Sequence, residues 1–367
     1  MEASFLASNA CQVLSGSPGV CVAKCRKAEI CPNDIAIDSK FSLLLEDFSP
    51  SLGWLQAPLL DADQLRAGIE ALAKFHAFFW NGGVHNRLLS AGDVEELQRG
   101  VWGVASHWAP SRQPAEMMDQ IAEIWAKRNY GDATVGFGDG SQSHILLGER
   151  LQRVARVVAS ECHFDGQGAA DLHPHRTIIH GDAKAGNLFY RNSHSGNDLN
   201  RGGCVQPSLS VGLIDFQWTG FGLGATDIAY YIASSAGSST VDTAGVKEHL
   251  LLQVYHNVLT TELSRLSDSV SGNGSVSGND SGNGSNTANI PIPTLAELES
   301  QYESGLLDIC RIAFAYHWER IPASPQVFTP ERKAMLGPCA YNKDADVARW
   351  LVARCDFLLS KRNSKNL

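Results

Sequence analysis

The amino-acid sequence predicts an α+β protein, with a few short strands at its start and middle and a mostly helical remainder. Three observations carry this. Apolar runs at 41–45, 177–179, 188–190 and 211–214 are too short for helices and read as strands. From residue 61 onward, longer segments place apolar residues at three- and four-residue steps, the period of a helix face. Thr294 with Glu297 adds a capping box, the signature of a helix start.

Taken in order, Phe-Ser-Leu-Leu-Leu at 41–45 forms a strand and is followed by Glu46 and Asp47. Residues 61–79 form a helix whose Leu65, Ile69, Leu72, His76 and Phe79 share one face. Helices are predicted over 115–128 and 143–159. Strands follow at 177–179, 188–190 and 211–214, then helices over 226–234 and 245–266. The capped helix opens at 294, with Leu295, Leu298, Tyr302 and Ile309 on one side, and a last helix spans 344–360. Residues 267–289 are rich in Ser, Gly and Asn. They cannot bury enough apolar surface to offset their ordering entropy, and read as a disordered insert. A smaller polar insert covers 192–208. The string Gly136-Phe137-Gly138-Asp139-Gly140 follows a helix rather than a strand, so it reads as a turn and not as a phosphate loop.

Composition narrows the class. The chain has 367 residues, 44% of them hydrophobic and 19% charged, which is ordinary for a globular protein. A net charge of -9 argues against a nucleic-acid partner, because a phosphate backbone attracts a basic face. The nine cysteines include no C-x-x-C pair and no zinc spacing; Cys21 and Cys25 are the nearest two. They read as reduced thiols in a cytoplasmic protein. The N-terminus lacks the basic and apolar regions of a signal peptide, and no apolar run is long enough to cross a bilayer, so no membrane partner is expected.

The informative segment is His180-Gly181-Asp182-Ala183-Lys184-Ala185-Gly186-Asn187, between two predicted strands. Asp215 follows in Leu213-Ile214-Asp215-Phe216-Gln217, at the end of the next strand. Phosphoryl transfer to a hydroxyl asks little covalent chemistry of a protein. It asks for one carboxylate to receive and orient the acceptor O–H, and for oxygen ligands to Mg²⁺. Asp182, Asn187 and Asp215 have that arrangement. Each alone also fits a turn residue or a strand-end cap; their order relative to the strands favours the chemistry. His76 and His180 read as packed structural histidines. Trp218, three residues past Asp215, is the tryptophan best placed to touch a substrate.

These motifs resemble the kinase-like superfamily, and within it the aminoglycoside phosphotransferase, choline kinase and ecdysteroid-kinase-like families. Their catalytic loop reads H-G-D-x-x-x-x-N, and their metal strand ends in I-D-F or V-D-F-Q. Gln217 makes the chain most similar to the ecdysteroid-kinase-like branch. The resemblance implies a protein-kinase-like two-lobe fold with a truncated N-terminal lobe and a mostly helical C-terminal lobe. It implies Asp182 as catalytic base, Lys184 as the lysine that neutralises the transferring phosphate, and Asn187 and Asp215 as Mg²⁺ ligands. Asp227 would brace the catalytic loop through its backbone amides, with His180 as further structural support. Leu43-Leu44-Leu45-Glu46-Asp47-Phe48 resembles the hinge strand, so Glu46, Asp47 and Phe48 would meet the adenine of ATP. Residues 72–80 resemble the L-A-x-L-H-A-x-F-W helix that follows it.

On this reading residues 1–48 are the remnant of the nucleotide lobe and hinge, and 49–367 the catalytic lobe. Glu2-Ala3-Ser4-Phe5-Leu6 resembles the start of the family's glutamate helix, which would make Glu2 the ion-pair glutamate. No glycine-rich loop and lysine strand precede the hinge. Ser15-Gly16-Ser17-Pro18-Gly19 contains a proline and is expected to precede no suitable pair of strands. The sequence is therefore expected to be N-terminally incomplete, or a short form, and to bind ATP weakly. Gly181 stands where protein kinases carry an arginine that pairs with a phosphorylated activation loop, so no activation by loop phosphorylation is expected. The expected function is an ATP- and Mg²⁺-dependent kinase acting on a hydroxyl of a small molecule. The alternative is a catalytically silent kinase-fold binding protein.

Overall fold

Capping and hydrophobic period set the helices of the computed structural model, which describes residues 1–17, 19–33, 39–127, 143–164, 173–193, 208–268, 290–312 and 345–365. Two short helices come first, α1 (Glu2–Ala7) and α2 (Asn9–Ser15). Ser8 separates them: its hydroxyl donates to Phe5 O at 2.7 Å and accepts from Cys11 N at 3.2 Å, ending one helix and capping the next. Strands β1 (Cys21–Val22), β2 (Cys25–Cys31) and β3 (Lys40–Leu45) follow. β2 and β3 pair antiparallel from Cys25↔Leu45 to Cys31↔Lys40. The expectation that no suitable pair of strands follows the 15–19 segment is thus corrected to this extent: an antiparallel pair does follow it. β1 is only two residues long. β2 reads Cys-Arg-Lys-Ala-Glu-Ile-Cys, with no apolar alternation, because it is exposed along most of its length.

Helix α3 (Ala62–Phe78) begins at a reciprocal capping box between Asp61 and Gln64 and buries Leu65, Ile69, Leu72 and His76, the stripe seen in the sequence. Helix α4 (Ala91–Gly100) was not legible, since it buries only Leu97 and Gly100. The helix predicted over 115–128 is instead a 3-10 turn, Ala115–Met118, and then α5 (Ile121–Lys127). The Gln152 side chain accepts from Ala122 N at 2.8 Å, satisfying a donor at this second helix start. Next come α6 (Ser143–His163), β4 (Arg176–Ile179), β5 (Leu188–Ser193), β6 (Ser208–Leu213) and β7 (Gly220–Leu223). The chain continues with α7 (Gly224–Ser235), α8 (Val246–Asp268), α9 (Leu295–Ile312) and α10 (Ala345–Lys365). Thr294 and Glu297 form the expected box at α9, with Glu297 N to Thr294 Oγ1 at 3.3 Å and Thr294 N to Glu297 Oε2 at 2.8 Å. Helix α8 runs through Ser267 and Asp268, so the predicted insert starts two residues too early. Its remainder, residues 269–289, the 136–140 string and residues 194–207 lie outside the described residues.

The chain is a mixed α+β structure. β1 runs parallel to β6, β5 antiparallel on its other side, and β4 pairs antiparallel with β7. α3 packs on α8, and α9 packs on α6, α7 and α10. Phe5, Leu72, Phe75, Leu188, Leu213, Phe216 and Ile228 belong to one buried cluster that joins helices and strands. Among the described residues no helix is long and apolar enough to cross a membrane.

Candidate active site

Strand pairing builds the site. The connection from β4 to β5 carries residues 180–187, and that from β6 to β7 carries 214–219. Leu188 pairs with Leu213, and Asn187 O accepts from Ile214 N at 3.1 Å. Asn187 and the Ile214–Asp215 turn therefore meet at adjacent strand ends. On the other side Ile179 pairs with Gly220, and Thr219 Oγ1 donates to His180 O at 3.2 Å. The fully buried His180 ties the two connections together. Its Nε2 donates to Ile214 O at 2.9 Å, and its Nδ1 accepts from Asp182 N at 3.3 Å, which fixes one tautomer.

Asp182 is buried, and its two carboxylate oxygens are differently loaded. Oδ2 accepts from Lys184 Nζ at 2.6 Å and from Asn187 Nδ2 at 3.1 Å. Oδ1 accepts from the Tyr230 hydroxyl at 2.9 Å. Asn187 Nδ2 also donates to Asp182 O at 2.9 Å. With its amide nitrogen turned this way, Asn187 directs its side-chain oxygen away from Asp182.

Helix α7 holds the loop from behind. Asp227 Oδ2 accepts from His180 N at 2.7 Å, and Oδ1 from Gly181 N at 3.0 Å. Ser235 Oγ accepts from Ala185 N at 2.8 Å. Buried His76 stands behind Asp227, with Nε2 3.2 Å from Oδ2 and Nδ1 2.9 Å from the Tyr255 hydroxyl. Gly181 sits at φ +80°, and a Cβ there would lie 2.2 Å from Trp218 O, so backbone conformation and space both demand glycine.

Asp215 adopts φ 65°, a left-handed conformation uncommon outside glycine. Such strain persists where the surroundings over-determine it, and here the next residue is anchored: Phe216 N donates to Glu2 Oε1 at 3.0 Å. Burial, and then the Asp215 charge, push the Glu2 carboxyl above its ordinary range. The N-terminal helix thus delivers Glu2 to the segment that bears Asp215. Glu46 and Asp47 lie exposed past the end of β3, Glu46 paired with Arg26. Phe48 packs on Trp54 and Phe189, with ring centroids 4.7 and 5.6 Å away, and fills the space over Gly212 of β6.

Sequence reasoning missed four residues around the loop: Tyr230, which bonds Asp182, and three on the 105–112 segment. Tyr230 carried a usable signal, being one helical turn from Asp227 and so on the same face. His107, Trp108 and Arg112 carried none, for they lie on a segment without a period. That segment is docked by Ser106 N donating to Trp218 O at 3.1 Å. The His107 ring lies 4.8 Å from Trp108 and 4.7 Å from Trp218, and the Arg112 guanidinium 4.5 Å over Trp102. Burial lowers the His107 pKa, Asp182 pulls it back up and Arg112 lowers it further.

The sequence profile of the ecdysteroid kinase-like family matches residues 16–268, a span that holds the 180–187 loop, Asp215, Asp227 and Tyr230. The chain belongs to the ecdysteroid kinase-like family. No curated protein matches it. In this ecdysteroid kinase-like chain the match leaves out α1, which carries Glu2, α2, and helices α9 and α10. Among the described residues no three His, Cys, Asp or Glu side chains form a cluster able to hold a metal. Asp182, Asn187 and Asp215 offer two carboxylates and an amide, oxygen donors of the kind Mg²⁺ takes.

Proposed function

We propose that this chain transfers the γ-phosphoryl group of ATP, with Mg²⁺, to a hydroxyl of a small molecule. One observation carries the reading: a buried carboxylate, Asp182, is fixed by Lys184, Asn187 and Tyr230, while strand pairing sets Asn187 beside the turn that bears Asp215. Asp182 orients the acceptor O–H and takes its proton. Lys184 sets a positive charge at the point where the transferring group gathers negative charge. Asn187 and Asp215 would hold Mg²⁺, which supplies charge neutralisation on the phosphates when bound. Burial, and then the Asp215 charge, raise the cost of ionising Glu2, an environment that a cation relieves. Asp227 holds the loop's N–H groups so that Asp182 keeps its aim. Strands β1–β3 with α1 supply the nucleotide side of a two-lobe arrangement.

The family's name makes ecdysteroids the first acceptors to try, with amino alcohols and aminoglycosides beside them. The test is a phosphorylation screen of these three classes with Mg²⁺ and millimolar ATP, read as the mass of the phosphate ester. One class is expected to be phosphorylated, and EDTA to abolish the product. ATP left intact across the whole panel would remove the phosphotransferase reading.

A further inference from the structure

We propose that Tyr230 is a positioning residue that decides which oxygen of Asp182 meets the acceptor; this rests on the phosphotransferase reading above. An ionised carboxylate has about four lone-pair directions, two on each oxygen. On Asp182 Oδ2 both are taken, by Lys184 Nζ at 2.6 Å and Asn187 Nδ2 at 3.1 Å. On Oδ1 one is taken, by the Tyr230 hydroxyl at 2.9 Å. The remaining direction on Oδ1 is where an acceptor O–H docks. Without Tyr230 the carboxylate would be held at one oxygen only and could turn about its χ2, a soft torsion.

The Tyr230 ring is itself fixed. It packs against Trp108 and Met117 on one side and against the main core as well. Its helix is locked to the same loop one turn earlier by Asp227 and again by Ser235. The hydroxyl is thus aimed by packing. In the reaction the acceptor O–H bond breaks and its proton passes to Asp182 Oδ1. A bond forms from the acceptor oxygen to the γ-phosphorus. The bond from that phosphorus to the β–γ bridging oxygen breaks, and its electron pair leaves with ADP.

Tyr230→Phe keeps the ring and its packing and removes only the hydroxyl. The experiment measures ATP hydrolysis by the full chain with Mg·ATP as probe, water standing in for the alcohol, for wild type and Y230F. The expected result is a kcat lower by roughly tenfold to a hundredfold. KM for Mg·ATP should stay within about twofold, since the hydroxyl removed is the one that bonds the Asp182 carboxylate. The thermal midpoint should move by no more than about 4 °C, as for one lost hydrogen bond. A Y230F kcat within about twofold of an active wild type overturns this inference alone. So does a joint collapse of kcat, KM and thermal midpoint, which marks a structural role. A wild-type chain that turns over no ATP overturns the phosphotransferase reading, and this inference with it.

Discussion

His76 and Asp227 form one buried histidine–aspartate pair, His163 and Asp308 another, with N···O distances of 3.2 and 2.7 Å. The chemistry of the pairs is alike; the use of each carboxylate differs. Asp227 directs its oxygens at the main-chain N–H groups of His180 and Gly181 and so fixes the path of a loop. Asp308 directs its second oxygen at Arg311, with Nε at 2.9 Å and Nη2 at 2.8 Å, and Arg311 Nη2 continues to Trp108 O at 3.1 Å. The first pair serves a site. The second joins α6 to α9 and anchors the far side of the 105–112 segment. What a buried histidine–aspartate pair is for can be read from where its remaining lone pairs go, not from its presence.

The largest expected effect lies on the site side. Asp182→Asn preserves shape but removes the charge that receives the proton. It also turns a donor toward Lys184 or Tyr230. Turnover is expected to fall by roughly a thousandfold or more, with little change in unfolding midpoint. Single-turnover transfer to the alcohol found in the screen measures this. A D182N protein as active as wild type would remove Asp182 from the reaction and leave its hydrogen bonds as packing.

The opposite signature is expected across the bundle. Asp308→Asn leaves the Arg311 guanidinium, 1% exposed, without its counter-charge. Urea unfolding is expected to show a loss of about 3 kcal/mol, the scale of a broken buried pair. The folded fraction should keep its turnover within about threefold. If D308N lowered turnover as D182N does while leaving stability intact, the division between site and scaffold would be wrong.

The same division explains what was legible in the sequence. The residues of the proposed site sit at strand ends, and the short apolar runs at 177–179, 188–190 and 211–214 mark those ends. The positions of Asp182, Asn187 and Asp215 beside those ends were therefore legible from spacing. Helix α9 was legible because a capping box coincides with an apolar stripe. Helix α4 has its own box, Ser90 with Asp93, but buries too little to show a stripe. Strand β2 is an exposed edge and shows no alternation. His107 comes near enough to feel the Asp182 charge because Ser106 pairs with Trp218, a contact between segments more than a hundred residues apart. No local period encodes such a contact. Glu46 and Asp47 follow a strand whose end faces solvent, so the motif was legible and its surroundings were not.

The smallest effect sharpens the comparison through pH. Burial works against ionisation of Asp308, but the Arg311 guanidinium and then His163 outweigh it and lower its pKa from 3.8 to about 2. A carboxyl whose folded-state pKa lies below its unfolded value stabilises the fold above the unfolded pKa. That contribution is lost as pH falls through the folded value. For Asp308 it is in place at neutral pH and disappears as pH drops from about 4 to about 2, at a total of about 2 kcal/mol. Urea midpoints taken across that range for wild type and D308N are expected to converge toward the acid end, because only the wild type has this carboxylate to protonate. Parallel curves that keep their separation down to the lowest pH would mean that the Asp308 charge does not hold α6 to α9, and the second pair would need another account.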